Sequence, residues 1–560
     1  MPISTKVFDN FSGGLFVSSP RDTIPMTALR RARGVRPPRS ISIKSRWGGM
    51  PIYGAQPSTP HSITRFKDVR FHGVGTTFRR NNADIKTGLD GSRLSFVRMP
   101  PTAGVSGSGI DDYLFVAGGG TLFKVDAIGN VTNWGITAPI ADFTAGQGSV
   151  GPLTGTYKYH ITFLNTATGS RSNSNPNSQS VTLAARQGFL SGIPLSADSQ
   201  VNAREVWRTV AGGEVFFRAA IITNNVATTF TDTVTDANLE TLELQFDNIP
   251  PFAEFDDAVG PYLGRMWWTR RITGGEEGRI YYSPNDRAEV VQGFIEASTP
   301  DDPMQKIVVW AETLWGFSEN HVYRILGSGE PFIAREVWGS PGTTKPYTIV
   351  PTPVGIIYDS NDGVRLFNGS TSRLVGSEAV GTLFVGESSE NLTAFEGVVA
   401  EYGRSEYVIS DLTQTLALDV NRESWRDVGL GLNTLYYEVD IDKFLVAKNL
   451  SISTFDDENV VGDDGVAITF EVETASAMID LTQEGLVKFI EIEYNTNGQS
   501  LTPQLILDGT TYPYPALVSS VRTRTEIPIE RSGRVVSVRL TGNLLNEVEI
   551  FKVTLAAHVG

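Results

Sequence analysis

A two-strand unit recurs along this chain and restricts what it can fold into more than any single residue does. A short apolar strand leads through a polar turn into a second strand that ends in an aromatic or aliphatic run, often with Asp, Asn or Gly. The copies run Tyr113-Leu114-Phe115-Val116 into Leu122-Phe123-Lys124-Val125-Asp126, Met266-Trp267-Trp268 into Arg279-Ile280-Tyr281-Tyr282, and Leu314-Trp315-Gly316-Phe317 into Val322-Tyr323-Arg324-Ile325. Three more are Gly355-Ile356-Ile357-Tyr358-Asp359 into Val364-Arg365-Leu366-Phe367-Asn368-Gly369, Tyr407-Val408-Ile409 into Leu416-Ala417-Leu418-Asp419, and Phe444-Leu445-Val446 into Leu450-Ser451-Ile452. From Trp315 the first strands repeat after about 42, 50 and 38 residues, the interval of a four-stranded propeller blade. The expectation is an all-β chain built on a β-propeller of about five to seven blades. Divergent hairpins in a sandwich are the alternative.

At 560 residues the chain is too long for one core, and its 56 glycines and 29 prolines accompany no long apolar repeat at helical spacing. Helices should be few and short, with one helical turn conceivable at 27–33. With no cysteine there is no disulfide, thiolate metal site or cysteine nucleophile. The opening Met1-Pro2-Ile3-Ser4-Thr5-Lys6 lacks a charged region followed by an apolar core. No run of about 18 apolar residues occurs, so neither export nor membrane spanning by a signal of its own is expected.

Spacing divides the chain into an extended N-terminal docking segment (1–60), a first propeller part (61–145), an insertion (146–248), a second propeller part (249–458) and a C-terminal β-sandwich (459–560). The insertion opens with the alternating Gly155-Thr156-Tyr157-Lys158-Tyr159-His160-Ile161-Thr162-Phe163 and continues through a Ser-rich turn, Glu205-Val206-Trp207-Arg208-Thr209 and Thr228-Thr229-Phe230-Thr231-Asp232-Thr233. That order resembles a fibronectin type III module, and the length suits a β-sandwich. In the last hundred residues, alternating strands such as Val487-Lys488-Phe489-Ile490-Glu491-Ile492-Glu493-Tyr494 predict a jelly-roll-like sandwich.

Charge is unevenly placed. Residues 1–80 hold 14 Lys and Arg against Asp9, Asp22 and Asp68, a balance of +11, which leaves 33 basic against 59 acidic residues, or −26, for the remainder. So acidic a body is a poor general nucleic-acid binder, yet an acidic wall lets DNA slide without sticking. The cluster Arg30, Arg31, Arg33, Arg36 and Arg39, with Arg46 beyond it, reads either as a solvated face or as a basic arm docking on an acidic neighbour, whether another subunit or nucleic acid.

Catalytic signatures are missing. The five histidines, His61, His72, His160, His321 and His558, have no metal-ligand spacing, and no nucleophile elbow or phosphate-binding loop is present. Ser360-Asn361-Asp362-Gly363 only faintly resembles a sialidase Asp-box, and the pairs Asp256-Asp257, Asp301-Asp302, Asp456-Asp457 and Asp463-Asp464 read as solvated loops with weak calcium binding as the alternative. No catalytic, cofactor or metal residue is assigned. Trp267 and Trp268 point to opposite faces of one strand, so one ring could be exposed for sugar or protein contact, or both could pack within and between blades.

The opening Phe11-Ser12-Gly13-Gly14-Leu15, then Pro20-Arg21-Asp22-Thr23-Ile24-Pro25, Ala28 to Val35, and Lys44-Ser45-Arg46-Trp47-Gly48-Gly49 is similar to the start of tail nozzle or hub proteins of short-tailed bacteriophages. Arg33-Gly34-Val35 stands where Asn-Val is usual. The order of a propeller interrupted by a fibronectin-like module and followed by a sandwich also resembles that family. The resemblance implies a non-enzymatic virion protein, made in the bacterial cytoplasm. Six copies would form a ring below the portal and adaptor, enclose the DNA ejection channel, and carry tail fibres or a tip protein. The alternative is a carbohydrate-binding or glycan-degrading propeller, and a third reading is a bacterial adhesin module.

Overall fold

The structure, a computed structural model, describes residues 3–18, 23–36, 41–100, 112–271, 274–384, 395–458, 460, 462–479 and 484–558. Among them the repeat becomes a seven-bladed β-propeller. Six blades are separate four-stranded antiparallel sheets, and the seventh is a four-strand stretch of an eleven-stranded sheet. Blades 1 and 2 span 60–87 and 95–133; blades 3 to 7 begin at 257, 304, 350, 399 and 434. The last blade has three strands from residues 434–455 and takes its fourth, Pro51–Tyr53, from ahead of blade 1, with Tyr53 paired to Ile452. Blades 7 and 1 are thereby locked together and the ring is closed.

Each pair of adjacent blades encloses a hydrophobic cluster. Phe71, Phe78, Leu114 and Val116 join blades 1 and 2, whereas Phe115, next in the strand, points the other way into the cluster of blades 2 and 3. Because side chains alternate along a strand and both faces of a blade meet neighbours, the strands read as unbroken apolar runs.

The insertion forms one six-stranded antiparallel sheet around Thr144–Leu164, a strand long enough to pair with Gln179–Ser191 over its first part and Ala203–Thr209 over its last. Its edge strands Phe216–Ile222 and Thr229–Asp232 both pack on the same core of Tyr157, Tyr159, Ile161 and Leu190, so the sheet curls over on itself. It is tied to the propeller by the buried Lys124, whose ammonium pairs with Glu289 of blade 3 and donates to Gln200 Oε1 of the insertion at 2.7 Å and to the Trp134 carbonyl at 3.0 Å.

The C-terminal sandwich is completed by the N-terminal segment. Ile3–Phe8 pairs with Glu549–His558 in one sheet, and Ala28–Arg33 pairs with Ile468–Thr474 in the other. Residues 28–33 therefore form a strand where a helical turn was conceivable: an inter-sheet core position for Ala28, Leu29 and Ala32 outweighs local helix preference. That sheet continues through Ser424–Asp427 into blade 6. The helix Ser377–Phe384 packs against the same core through Val380 and Leu383. No helix among the described residues is long and apolar enough to cross a membrane.

Candidate functional site

The acidic neighbour of the basic arm proves to be the chain's own blade 6 and C-terminal sandwich. Arg30 is buried 3.9 Å from Glu473; Arg31 lies 3.3 Å from Glu471. Arg36 stacks over Trp47 at 3.5 Å and pairs with Glu547, which Lys44 also approaches at 3.5 Å. Arg46 is buried, donates to the Val428 carbonyl at 2.8 Å and pairs with Asp463. Arg33, 4.0 Å from Asp427, keeps 45% of its side chain exposed. Arg39 lies outside the described residues. An outward docking face through Arg30 and Arg46 is thus corrected, since both are buried, while Arg31 and Arg36 keep part of their side chains exposed and pair with carboxylates of the same chain.

The Gly-rich motifs of the same segment have a steric cause. Gly14 has φ +67°, and a Cβ there would sit 2.6 Å from the Trp425 carbonyl oxygen; at Gly48 it would sit 1.5 Å from that of Gly462. Only glycine lets this segment lie against the backbone of its neighbours at both places.

Exposure of Trp267 or Trp268 is also corrected, since both are fully buried. Trp267 packs edge-on against Phe332 at 4.9 Å between blades 3 and 4, while Trp268 stacks on Phe255 at 5.5 Å between blades 2 and 3.

Each acidic pair has a member that ties the fold together, although Asp301 and Asp464 stay exposed. Asp257 is buried and accepts from Ser95 Oγ of blade 2 at 2.8 Å and the Ile307 N–H of blade 4 at 3.2 Å. Asp302 accepts from Ser318 at 2.7 Å and lies 2.8 Å from His321 Nδ1. Asp456 accepts the Trp47 N–H at 2.9 Å and joins Glu406 around the buried Arg426. Among the described residues no group of three His, Cys, Asp or Glu could hold a metal ion.

Sequence reasoning missed the place where all seven blades converge. Their inner strands surround an axial cavity of about 440 Å³, lined by Thr64, Phe96, Asp257, Lys306, Tyr347, Glu401 and Tyr436. Arg93 spans its wall, donating to the His61 carbonyl at 2.8 Å and to that of Asn433. Arg271 donates to the Tyr347 hydroxyl at 3.0 Å. Glu401 accepts the Tyr402 N–H at 3.0 Å. Burial pushes its carboxyl up to about 7, against the pull of the Tyr402 N–H and the Lys306 charge, so near neutrality it both donates and accepts. The available signal was a charged residue in each of two largely apolar inner strands, Met304–Trp310 and Val399–Gly403.

No protein-family model matches the chain, and no curated protein matches it. Among solved structures it is similar to the exo-β-1,3-galactanase of Phanerochaete chrysosporium with galactose, at 10% identity over 65% of this chain and 95% of that one, with a TM-score of 0.22. It is also similar to the WD40 domain of Pan2 from Neurospora crassa, at 8% identity over 75% of this chain and 98% of that one, with a TM-score of 0.26. At these values neither likeness bears on substrate or partner.

Proposed function

We propose that this chain is a structural tail protein of a short-tailed bacteriophage, a nozzle or hub subunit that assembles with copies of itself into a ring around the DNA exit conduit. The observation that carries the reading is the joint made by residues 3–53. The segment whose motifs resemble that family threads through both the sandwich and the propeller, and its glycines sit where no side chain fits. The N-terminal arginines find carboxylates within the chain, so the net charge of −15 leaves an acidic exterior along which DNA slides. In this reading six copies meet head to tail, dock on the portal and adaptor, and carry fibres or a tip protein, with no catalysis of their own. Closed rings of that kind use heterologous contacts.

Electron microscopy of the purified chain, and of the assembled particle, tests this. A six-fold ring with an open central channel is expected. Single discs that persist with a portal–adaptor complex supplied would sink it. A carbohydrate-binding or glycan-degrading propeller, the other reading, loses Trp267 and Trp268 as sugar contacts, because both are buried.

A further inference from the structure

The axial cavity contains one cation that the fold does not use. Lys306 lies on the inner strand of blade 4, and its charge reaches Glu401 of blade 6, but its ammonium closes no hydrogen bond or ion pair with a described residue. The other lining cation is engaged, Arg93 with two carbonyls, as is Arg271 behind the wall, with the Tyr347 hydroxyl and, at 3.7 Å, with Asp256. Of the two lining carboxylates, Asp257 has each oxygen on a donor from a neighbouring blade. Glu401 takes N–H groups of its own surroundings and remains free to meet a ligand hydroxyl.

Lys306 is partly buried and no described carboxylate closes an ion pair with it, so an anion beside it is favoured. Thr64, Thr434 and the rings of Tyr347 and Tyr436 line the same space. The threonines supply hydroxyl groups that donate or accept, and Tyr436 supplies an aromatic ring; the Tyr347 ring is already covered by the guanidinium groups of Arg93 and Arg271 at 5.6 and 5.3 Å. Hydroxyls beside an aromatic ring are the combination that grips a hydroxylated ring by its edges and packs on its C–H face. A volume of about 440 Å³ falls within the range of small-ligand sites and is far too small to pass a DNA duplex.

We propose that the axial cavity binds an acidic monosaccharide, its carboxylate on Lys306 and its ring hydroxyls on Glu401 and the threonines. This is a site within each subunit, separate from any conduit formed by a ring of subunits, and it stands or falls independently of the tail assignment.

Isothermal titration of the full chain with galacturonate, galactose and inorganic phosphate tests it. Galacturonate should bind saturably, and more tightly than either of the others. Lys306→Met should weaken binding at least about tenfold, Lys306→Arg should restore part of it, and Glu401→Gln should weaken it with the thermal midpoint of the unliganded chain little changed. If Lys306→Met fails to fold, the ranking of the three probes on the unsubstituted chain decides. Absence of saturable galacturonate binding would overturn the proposal. So would equal affinity in a folded Lys306→Met chain, or phosphate binding as tight as galacturonate, because a bare anion needs only the lysine.

Discussion

Trp268 and His72 show how differently two fully buried rings behave in the same propeller. Trp268 fills the space between blades 2 and 3 against Trp134 and Phe255. Truncating it to alanine should cost about 3–5 kcal/mol through lost burial and the cavity left behind, read as a lower midpoint in urea unfolding. His72 stacks on Tyr53 of the ring-closing strand at 5.2 Å, and neither ring nitrogen has a hydrogen-bond partner. Burial, aided by the Arg79 charge, lowers its pKa from 6.5 to about 4. The unfolded chain therefore takes up this proton before the folded one does. The stabilisation is complete above pH 6.5 and is lost as the pH falls toward about 4. With 1.36 kcal/mol per unit the loss is about 3 kcal/mol. Unfolding free energies measured across that window should slope with pH, and His72→Phe should flatten the slope; an unchanged slope would rule this histidine out as its source.

Between elements, two ties set how the parts are joined. Lys124 and Glu289 are buried together where the insertion meets blades 2 and 3. Removing one partner strands the other charge, so Lys124→Met should destabilise by about 3–5 kcal/mol, whereas Lys124→Met with Glu289→Leu should recover most of the loss. Differential scanning calorimetry of the two variants checks this, and equal destabilisation would show that the pair does not act as a unit. At Gly48, where a Cβ would meet the Gly462 carbonyl, Gly48→Ala should lower the thermal midpoint by far more than an exposed Gly→Ala change does. The middle pairs of blade strands were legible in the sequence because both faces of a blade are buried, which makes Leu114 to Val116 or Ile356 to Tyr358 continuous apolar runs. Half-exposed outer strands such as Ala83–Thr87 lack that signal. Partners of the N-terminal arginines were illegible for another reason: Arg36 and Glu547 are 511 positions apart, and charge alone does not say whether an acidic neighbour is the same chain or another. The cavity escaped because each blade contributes only a residue or a few to it.

For the molecule as a whole, the joining of both ends makes the sandwich and the propeller interdependent. Deleting residues 1–10 removes Ile3–Phe8, bares one edge of Glu549–His558 and takes Phe8 out of the core. The truncated chain should lose solubility and thermal stability although every blade is intact, and sedimentation with a thermal scan would show it. The register of Ile3 with His558 also sets a timetable for biosynthesis. The two residues are 555 positions apart, so at translation rates of 5–20 residues per second the first strand waits roughly 30–110 s for its partner to be made. Blades 2 to 5 need no strand from outside themselves and can fold as they leave the ribosome. Throughout that interval the backbone edge of the leading strand stays unpaired on the nascent chain and Phe8, its one fully buried side chain, stays without its core.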